Sequence, residues 1–188
     1  MKLHLGCWHR YIPGFIHIDL CDMEHIDYKT NIDDLSMFED SSVSLIYASH
    51  CLQYFTYNDA IKVLKEWSRV LKKGGILRIS VPDLQKLIQV YSKTNDIKTI
   101  FGPLYGHMKI EISSEESTLT DKFLYHKAIY DLQSITTLLM KLNFKNVHSY
   151  DWRETIHKDY DDHSQAYFPH MDKVNGILIS LNLEATKK

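Results

Sequence analysis

Residues 64–82 read Leu-Lys-Glu-Trp-Ser-Arg-Val-Leu-Lys-Lys-Gly-Gly-Ile-Leu-Arg-Ile-Ser-Val-Pro, a helical pattern that passes directly into an apolar strand. Apolar side chains recur at i, i+3 and i+4, which predicts a helix from an N-cap at Asn58 to about residue 72. The Lys-Lys-Gly-Gly run at 72–75 predicts the end of that helix, with cations favourably placed at its C-terminus. Residues 76–81 then form a strand that Pro82 closes.

The alternation of strands and helices continues on both sides of this stretch. Asp83 is placed to cap a helix over residues 84–93, and Asp131 is placed to cap another that ends at Asn143. The inward face of the second helix is predicted to comprise Leu132, Ile135, Leu138, Leu139 and Leu142. The other predicted strands comprise residues 2–6, 15–20, 26–32 (the weakest), 43–48, from 147 onward, and 176–183.

These elements predict one α/β domain over residues 1–188, with a doubly wound, mostly parallel sheet and an antiparallel C-terminal edge strand. Two segments do not fit the alternation. Residues 94–126 are polar and irregular and predict a long insertion loop, and residues 151–173 form a long connection. We expect both to lie outside the sheet.

Composition is that of an ordinary globular protein. The 188 residues are 44% apolar and 24% charged, with a net charge of −2. This balance gives no global reason to bind nucleic acid or an anionic membrane. The basic positions Lys62, Lys65, Arg69 and Lys72 are interpreted as a solvated helix face. Without a long apolar run or a leader pattern, the sequence predicts a soluble, cytoplasmic protein.

Cysteine and histidine spacing predicts no metal site. Cys7, Cys21 and Cys51 are an odd number without a C-x-x-C pair, which argues against disulfides and a thiolate zinc site. His157 and His163 flank an acidic run, but their spacing matches no metal motif, so we interpret this run as a solvated loop.

Polar residues and a glycine stand at the predicted strand ends, where the ligand crevice of such a sheet lies. Gly6 allows a ligand to approach the backbone, but G-x-G-x-x-G is absent, which argues against a dinucleotide. Asp19 suits ribose hydroxyls or a turn equally, and Asp34 suits an adenine amino group or, more simply, a turn. His50 is either a base or a structural residue.

In combination, these stretches resemble the class I S-adenosylmethionine-dependent methyltransferases. The resemblance covers residues 2–84 and resumes from about 131 to 183. Residues 151–183 also resemble a bacterial branch of small predicted methyltransferases. The stretches that carry it, besides residues 64–82, are Lys2–Cys7, Pro13–Leu20, Asp34-Leu35 and Ser42–Leu52. It implies a Rossmann-like fold, here without the usual N-terminal helices, and S-adenosylmethionine as cofactor.

The resemblance also implies roles for individual residues. The implied cofactor contacts are Gly6 and Cys7 for the methionine part, Asp19 and Leu20 for the ribose, Asp34 and Leu35 for the adenine, and Ser49 and His50 beside the sulfonium. Trp8, Ser44 and Gln53 depart from the family pattern, where glycine, an acidic residue and glutamate are usual. The link from the first strand to Phe15 is also too short for a helical crossover.

The implied activity is methyl transfer to a small molecule or a surface-sugar precursor. This chemistry is mostly positioning, with a base needed for hydroxyl or charged amine acceptors. Residues 94–126 and 151–173 are expected to build the acceptor side. The candidate residues are His50 and His126 for catalysis and Tyr125, Arg153 and His163 for substrate contact.

Two other hypotheses compete with this one. The departures at Trp8, Ser44 and Gln53 favour a degenerate protein that binds a ligand without turnover. The eleven histidines favour a metal-dependent hydrolase, although no metal motif supports it. The expected partner is a small-molecule acceptor, without nucleic acid or membrane, and the chain is expected to be a monomer or a homodimer.

Overall fold

The computed structural model describes residues 1–110 and 122–188, so residues 111–121 of the predicted insertion lie outside the described residues. The strands are β1 (Lys2–Leu5), β2 (Ile16–Asp19), β3 (Tyr28–Lys29), β4 (Val43–Ser49), β5 (Leu71–Pro82), β6 (Met108–Ile110), β7 (Lys122–Leu124), β8 (Phe144–Ser149), β9 (Tyr167–Phe168), β10 (Ile177–Leu178) and β11 (Ser180–Lys187). The α-helices are α1 (Tyr57–Val70), α2 (Leu84–Thr94), α3 (Lys98–Tyr105) and α4 (Leu132–Lys141).

Seven strands form one sheet in the order β3-β2-β1-β4-β5-β11-β8. The first five in this order are parallel, and β11 runs antiparallel to both β5 and β8. The predicted fold class is therefore confirmed, with the antiparallel C-terminal strand next to the outermost strand β8. Because β1, β2 and β4 are parallel neighbours, their carboxyl ends meet at one edge of the sheet.

The amphipathic face of α1 packs on the apolar strands, as its periodicity predicts. Val63, Leu64 and Trp67 are buried in one continuous core with residues of β1, β4, β5 and α4. Burying a side chain of this kind contributes about 1.5–3 kcal/mol. The Trp67 indole N–H also donates a hydrogen bond to the Ile32 carbonyl at 2.8 Å. This bond ties the helix to the segment that follows β3.

The bounds of α1 differ from the prediction at both ends. Its N-cap is Thr56, whose hydroxyl accepts a hydrogen bond from the Asp59 N–H at 3.2 Å, and not Asn58. It ends at Val70 because Leu71 is fully buried and pairs with Val43 as the first residue of β5. The predicted helix stop at residues 72–75 therefore lies within the strand.

The basic helix face predicted at α1 is only partly solvated. Arg69 forms ion pairs with Asp40 and Glu66, each at 2.7 Å, and donates to the Leu35 carbonyl at 3.0 Å. Arg69 thus ties α1 to the chain between β3 and β4. A continuous basic stripe for a polyanion is not formed at this position.

The predicted caps of α2 and α4 are confirmed, unlike that of α1. Asp83 accepts a hydrogen bond from the Gln85 N–H at 2.9 Å and begins α2, and Asp131 forms a capping box with Ser134 at the start of α4. Leu132 was expected on the inward face of α4 but is 46% exposed, because the first turn of the helix projects beyond the core. Capping is local in sequence, which is why it could be predicted without the tertiary structure.

The long segments are more regular than their composition suggests. The described part of 94–126 contains α3 and the antiparallel pair of β6 and β7, where an irregular loop was predicted. The predicted strand over 176–183 is divided: β10 pairs with β9 of the 151–173 connection, and β11 enters the main sheet. In the described ranges, no helix has the length and apolar character needed to cross a bilayer.

Candidate functional site

Gly6 forms the turn that leads out of β1. Its φ of +63° is left-handed, and a Cβ built on it would lie 2.7 Å from Cys51 Cβ. The left-handed φ disfavours a side chain and the 2.7 Å contact leaves no space for one, so glycine is required here. The Gly6 N–H donates to the Ile18 carbonyl at 2.9 Å and holds the turn against β2. The result is a bare backbone surface at the carboxyl ends of the strands.

Asp19 ends β2 and organises the same region. One carboxylate oxygen accepts a hydrogen bond from the Trp8 N–H at 2.8 Å, and the other accepts one from the Cys21 N–H at 2.9 Å. The residue is only 8% exposed. Because each carboxylate oxygen can accept two hydrogen bonds, both oxygens retain acceptor capacity. The turn interpretation and the ligand interpretation of Asp19 are therefore compatible.

A first cavity of about 590 Å³ lies over these strand ends. The structure brings six of the predicted cofactor residues together at its wall: Gly6, Cys7, Asp19, Leu20, Ser49 and His50. Trp8 also lines the cavity, with a φ of +43° and a side chain that is 40% exposed. The indole thus stands at the wall of the cavity and does not fill it.

Asp34 and Leu35 are not brought to this cavity. Asp34 is exposed and accepts a hydrogen bond from the Ser36 N–H at 3.1 Å, whereas Leu35 is fully buried in the core. Asn31 and Ile32 line the cavity instead. The reason is the length of β3: it ends at Lys29, whereas the predicted strand ran to Ile32, so the chain reaches the cavity earlier.

A second cavity of about 440 Å³ adjoins the first. It is bounded by the end of α3, by the region of His126, and by residues 161–171 of the long connection. The residues that line both cavities, here called the junction, are Arg10, His50, Tyr54, Asp162 and His163. The two cavities therefore meet over the end of β4.

His50 follows β4 directly and has a left-handed backbone, with φ +50°. Its Nε2 lies 2.8 Å from the Ser180 hydroxyl, which itself donates to the Asn182 side-chain oxygen at 2.8 Å. This network assigns the proton to Nε2 and the lone pair to Nδ1. Burial lowers the pKa of His50 well below its ordinary value. The ring is therefore neutral at neutral pH.

The other two candidate histidines are also neutral. His126 donates from Nδ1 to the Pro103 carbonyl at 3.1 Å, and burial lowers its pKa. The His163 ring centre lies 5.4 Å from that of His50. Burial lowers the pKa of His163, with Asp162 opposing and Arg10 reinforcing the shift. Among the described residues, none forms a hydrogen bond with the His163 ring, so its lone pair is available at the junction.

Asp162 belongs to the junction and is the last residue of the acidic run that was interpreted as a solvated loop. That interpretation is wrong for Asp162, which is buried. It comes from a short 3-10 turn region in the 151–173 connection, packed against β4. Its carboxylate accepts hydrogen bonds from the Tyr47 hydroxyl and from the Ser49 hydroxyl, the latter at 3.3 Å. These partners are more than a hundred residues away in sequence, so no local pattern could have identified them.

Two predicted substrate residues lie outside both cavities. Tyr125 is 49% exposed and lines neither one. Arg153 forms an ion pair with Asp151 at 3.3 Å and lies over the Trp152 ring at 4.8 Å. Both were expected to contact substrate because they lie in the variable segments, but only His163 of that group reaches the junction.

Histidine and carboxylate side chains do not converge as a metal site requires. Over residues 1–110 and 122–188, no group of three or more His, Cys, Asp or Glu side chains is arranged to hold a metal ion. His157 lies fully buried against Tyr47, with ring centres 4.0 Å apart. The described residues therefore offer no set of metal ligands to support the hydrolase hypothesis.

Comparisons with known proteins agree with this geometry. Residues 17–79 match the family model of a methyltransferase domain. No curated protein sequence matches the chain. Several solved structures are similar to this chain over nearly its whole length. A Thermotoga maritima protein described as an S-adenosylmethionine-dependent methyltransferase, possible histamine N-methyltransferase, has a TM-score of 0.59 and 15% identity, over 100% of this chain and 82% of its own.

Two further structures show the same fold. An S-adenosylmethionine-dependent methyltransferase from Archaeoglobus fulgidus has a TM-score of 0.55 and 14% identity, over 99% of this chain and 85% of its own. A Burkholderia thailandensis 1,6-didemethyltoxoflavin N1-methyltransferase was solved with 1,6-didemethyltoxoflavin and S-adenosylhomocysteine bound. It has a TM-score of 0.54 and 12% identity, over 100% of this chain and 70% of its own. The predicted class I methyltransferase fold is thereby confirmed, and the bacterial branch stays a prediction.

Proposed function

We propose that this chain, which has the fold and a domain match of the class I methyltransferases, binds S-adenosylmethionine in the first cavity and methylates a small-molecule acceptor in the second. The observation that carries the proposal is the junction, where two cavities of about 590 and 440 Å³ share five residues. Volumes of this size suit small ligands. The acceptor class remains a small molecule or a surface-sugar precursor.

The residues of the first cavity suit this cofactor. The backbone at Gly6 and Cys7 would contact the methionine part of the cofactor. Gly6 carries no side chain there, and a Cβ at this position would have no space. Asp19 would hold the ribose hydroxyls through its free acceptor capacity. We assign the adenine contacts to Asn31 and Ile32, which line the cavity, instead of to Asp34 and Leu35. Ser49 and His50 would lie beside the sulfonium, as the resemblance implies.

The proposed reaction requires mainly that the protein position the cofactor and the acceptor. The bound cofactor supplies a methyl group on a positively charged sulfur, and the chain has to hold an acceptor nucleophile in line with it. A base is needed only where the acceptor is a hydroxyl or a charged amine. We assign that role to His163, because its neutral ring faces the junction without a hydrogen-bonding partner among the described residues. His126 would then contact the acceptor in the second cavity.

The first test is binding. In calorimetric titration, we expect S-adenosylmethionine and S-adenosylhomocysteine each to bind stoichiometrically. Asn31→Ala should weaken both about threefold to tenfold through loss of one hydrogen bond, whereas Asp34→Ala, its matched control, should leave both unchanged. If neither ligand binds to the folded protein, the proposal fails and only the fold remains. If both bind but no acceptor mixture yields S-adenosylhomocysteine, the protein binds without turnover.

A second test concerns His163. With an acceptor that must lose a proton, His163→Gln should lower kcat by about 10²–10⁴-fold, the usual contribution of a positioned base. Because burial lowers the pKa of His163 below 6.5, activity should be constant above that pH and fall only in more acidic solution. The control is His148→Gln, on the exposed edge strand β8. Unchanged kcat in the His163 variant would contradict this role.

A further inference from the structure

A buried carboxylate that forms no ion pair with a described Lys or Arg side chain lies at the junction. Asp162 is only 7% exposed, and it lines both cavities. It accepts hydrogen bonds from the Tyr47 hydroxyl, from the Ser49 hydroxyl at 3.3 Å, and from the Ser164 N–H at 2.7 Å. All three partners act as donors, as they do toward a carboxylate that is an acceptor only.

Arg10 is exposed and lines the junction together with Asp162, but the charge of Asp162 is not compensated by an ion pair among the described side chains. Among the side chains that the structure describes, those of residues 1–107 and 123–188, no Lys or Arg nitrogen forms an ion pair with it. His157 and His163 both interact electrostatically with Asp162, but burial lowers the pKa of each ring, so both are neutral at neutral pH. A buried carboxylate that lacks a counter-ion is costly. A ligand that brings a positive charge to the junction would offset that cost.

The position of the junction indicates which ligand group this is. With the ribose at Asp19 in the first cavity and the acceptor in the second, the group that passes between them must lie at the junction. In the proposed reaction that group is the methyl sulfonium, the positively charged part of S-adenosylmethionine. We propose that Asp162 recognises the positive charge of the sulfonium, an inference that rests on the proposed function.

The other carboxylates at the cavities do not fit this role. Asp19 lines only the first cavity, where it holds two backbone N–H groups of the strand-end turns. Asp161 lines only the second cavity, and its carboxylate already forms an ion pair with Lys173 at 3.2 Å. Among the described residues, Asp162 is thus the carboxylate that both cavities share.

Charge recognition has a consequence for the product. S-adenosylhomocysteine carries a neutral thioether where the cofactor carries the sulfonium. Asp162 therefore interacts with the sulfonium charge before methyl transfer, whereas after transfer the ligand carries no positive charge at that position. The same carboxylate favours binding of the reactive ligand and does not retain the product.

The test compares ligands of different charge in matched variants. Calorimetry would measure the affinity of S-adenosylmethionine, of sinefungin, which has an ammonium group in place of the sulfonium, and of S-adenosylhomocysteine. In Asp162→Asn, which keeps the shape of the side chain, we expect the two cations to bind about tenfold or more weakly. S-adenosylhomocysteine should change less than twofold (about 0.4 kcal/mol). Asp159→Asn, at an exposed carboxylate of the same connection that lines neither cavity, is the control and should change none of the three.

Each other outcome overturns the inference. Equal weakening of all three ligands in Asp162→Asn would mean that the carboxylate only supports the cavity wall. No weakening of any would mean that it does not sense the ligand. If the variant does not fold, the wild-type protein still decides: equal affinity for sinefungin and S-adenosylhomocysteine would contradict charge recognition. If the wild type binds none of them, the proposed function itself fails, and the inference fails with it.

Discussion

Replacing Asp19 by alanine should abolish detectable binding of S-adenosylmethionine at concentrations that saturate the wild-type protein. The substitution removes the acceptors proposed for the ribose, and it also leaves the Trp8 and Cys21 N–H groups without their partners. A hydrogen bond to a charged group contributes about 1.5–3 kcal/mol, so losing two toward the ligand predicts a fall in affinity of about a hundredfold or more. Calorimetric titration measures it directly.

Asp22→Ala is the matched control for this prediction. Asp22 lies three residues further along, with an exposed carboxylate that pairs with Lys29 at 2.8 Å on the surface. Its removal should leave the affinity within twofold (about 0.4 kcal/mol) and the stability nearly unchanged, because exposed ion pairs contribute little. Circular dichroism should show both variants folded. An Asp19→Ala protein that binds S-adenosylmethionine about as well as the wild type would remove the ribose assignment.

Replacing His157 by leucine should reduce the loss of stability that the protein suffers in acid. His157 is fully buried, and neither ring nitrogen has a hydrogen-bonding partner. Burial lowers its pKa from 6.5 to about 4, a shift that Asp162 opposes and Arg78 reinforces. In the unfolded chain the ring takes up a proton as the pH falls below 6.5, whereas in the folded protein it does so only near 4. Stability is therefore lost as the pH falls across this window.

The size of the effect follows from linkage. At pH 5 the depressed pKa of His157 destabilises the fold by on the order of 2 kcal/mol relative to pH 7. Urea denaturation of His157→Leu should show a correspondingly smaller difference between the two pH values. His148→Leu, at an exposed histidine of β8, serves as control and should keep the wild-type difference. Equal acid sensitivity in wild type and His157→Leu would show that other buried groups cause it.

The meeting of strand ends explains why some residues predicted for the cofactor site line the first cavity and others do not. Gly6, Asp19 and Ser49 each stand at the end of a strand, and parallel neighbours bring strand ends together whatever the rest of the chain does. Asn31 lines the first cavity and Asp34 does not, because β3 is much shorter than the predicted strand. Tyr125 and Arg153 were assigned to substrate contact but line neither cavity, because their segments have no periodicity from which the direction of a side chain could be predicted.

The sequence by itself determined the order of the main-sheet strands and of the helices outside residues 94–126, the caps at Asp83 and Asp131, and the glycine turn at Gly6. These features depend on periodicity, capping and φ, which are properties of neighbouring residues. Only the tertiary structure decided that Arg10, Asp162 and His163 meet at one junction. Asp162 and Tyr47 are 115 positions apart, and their contact depends on how the long connection packs on β4. A buried charge at such a place is created by packing, so no local pattern records it.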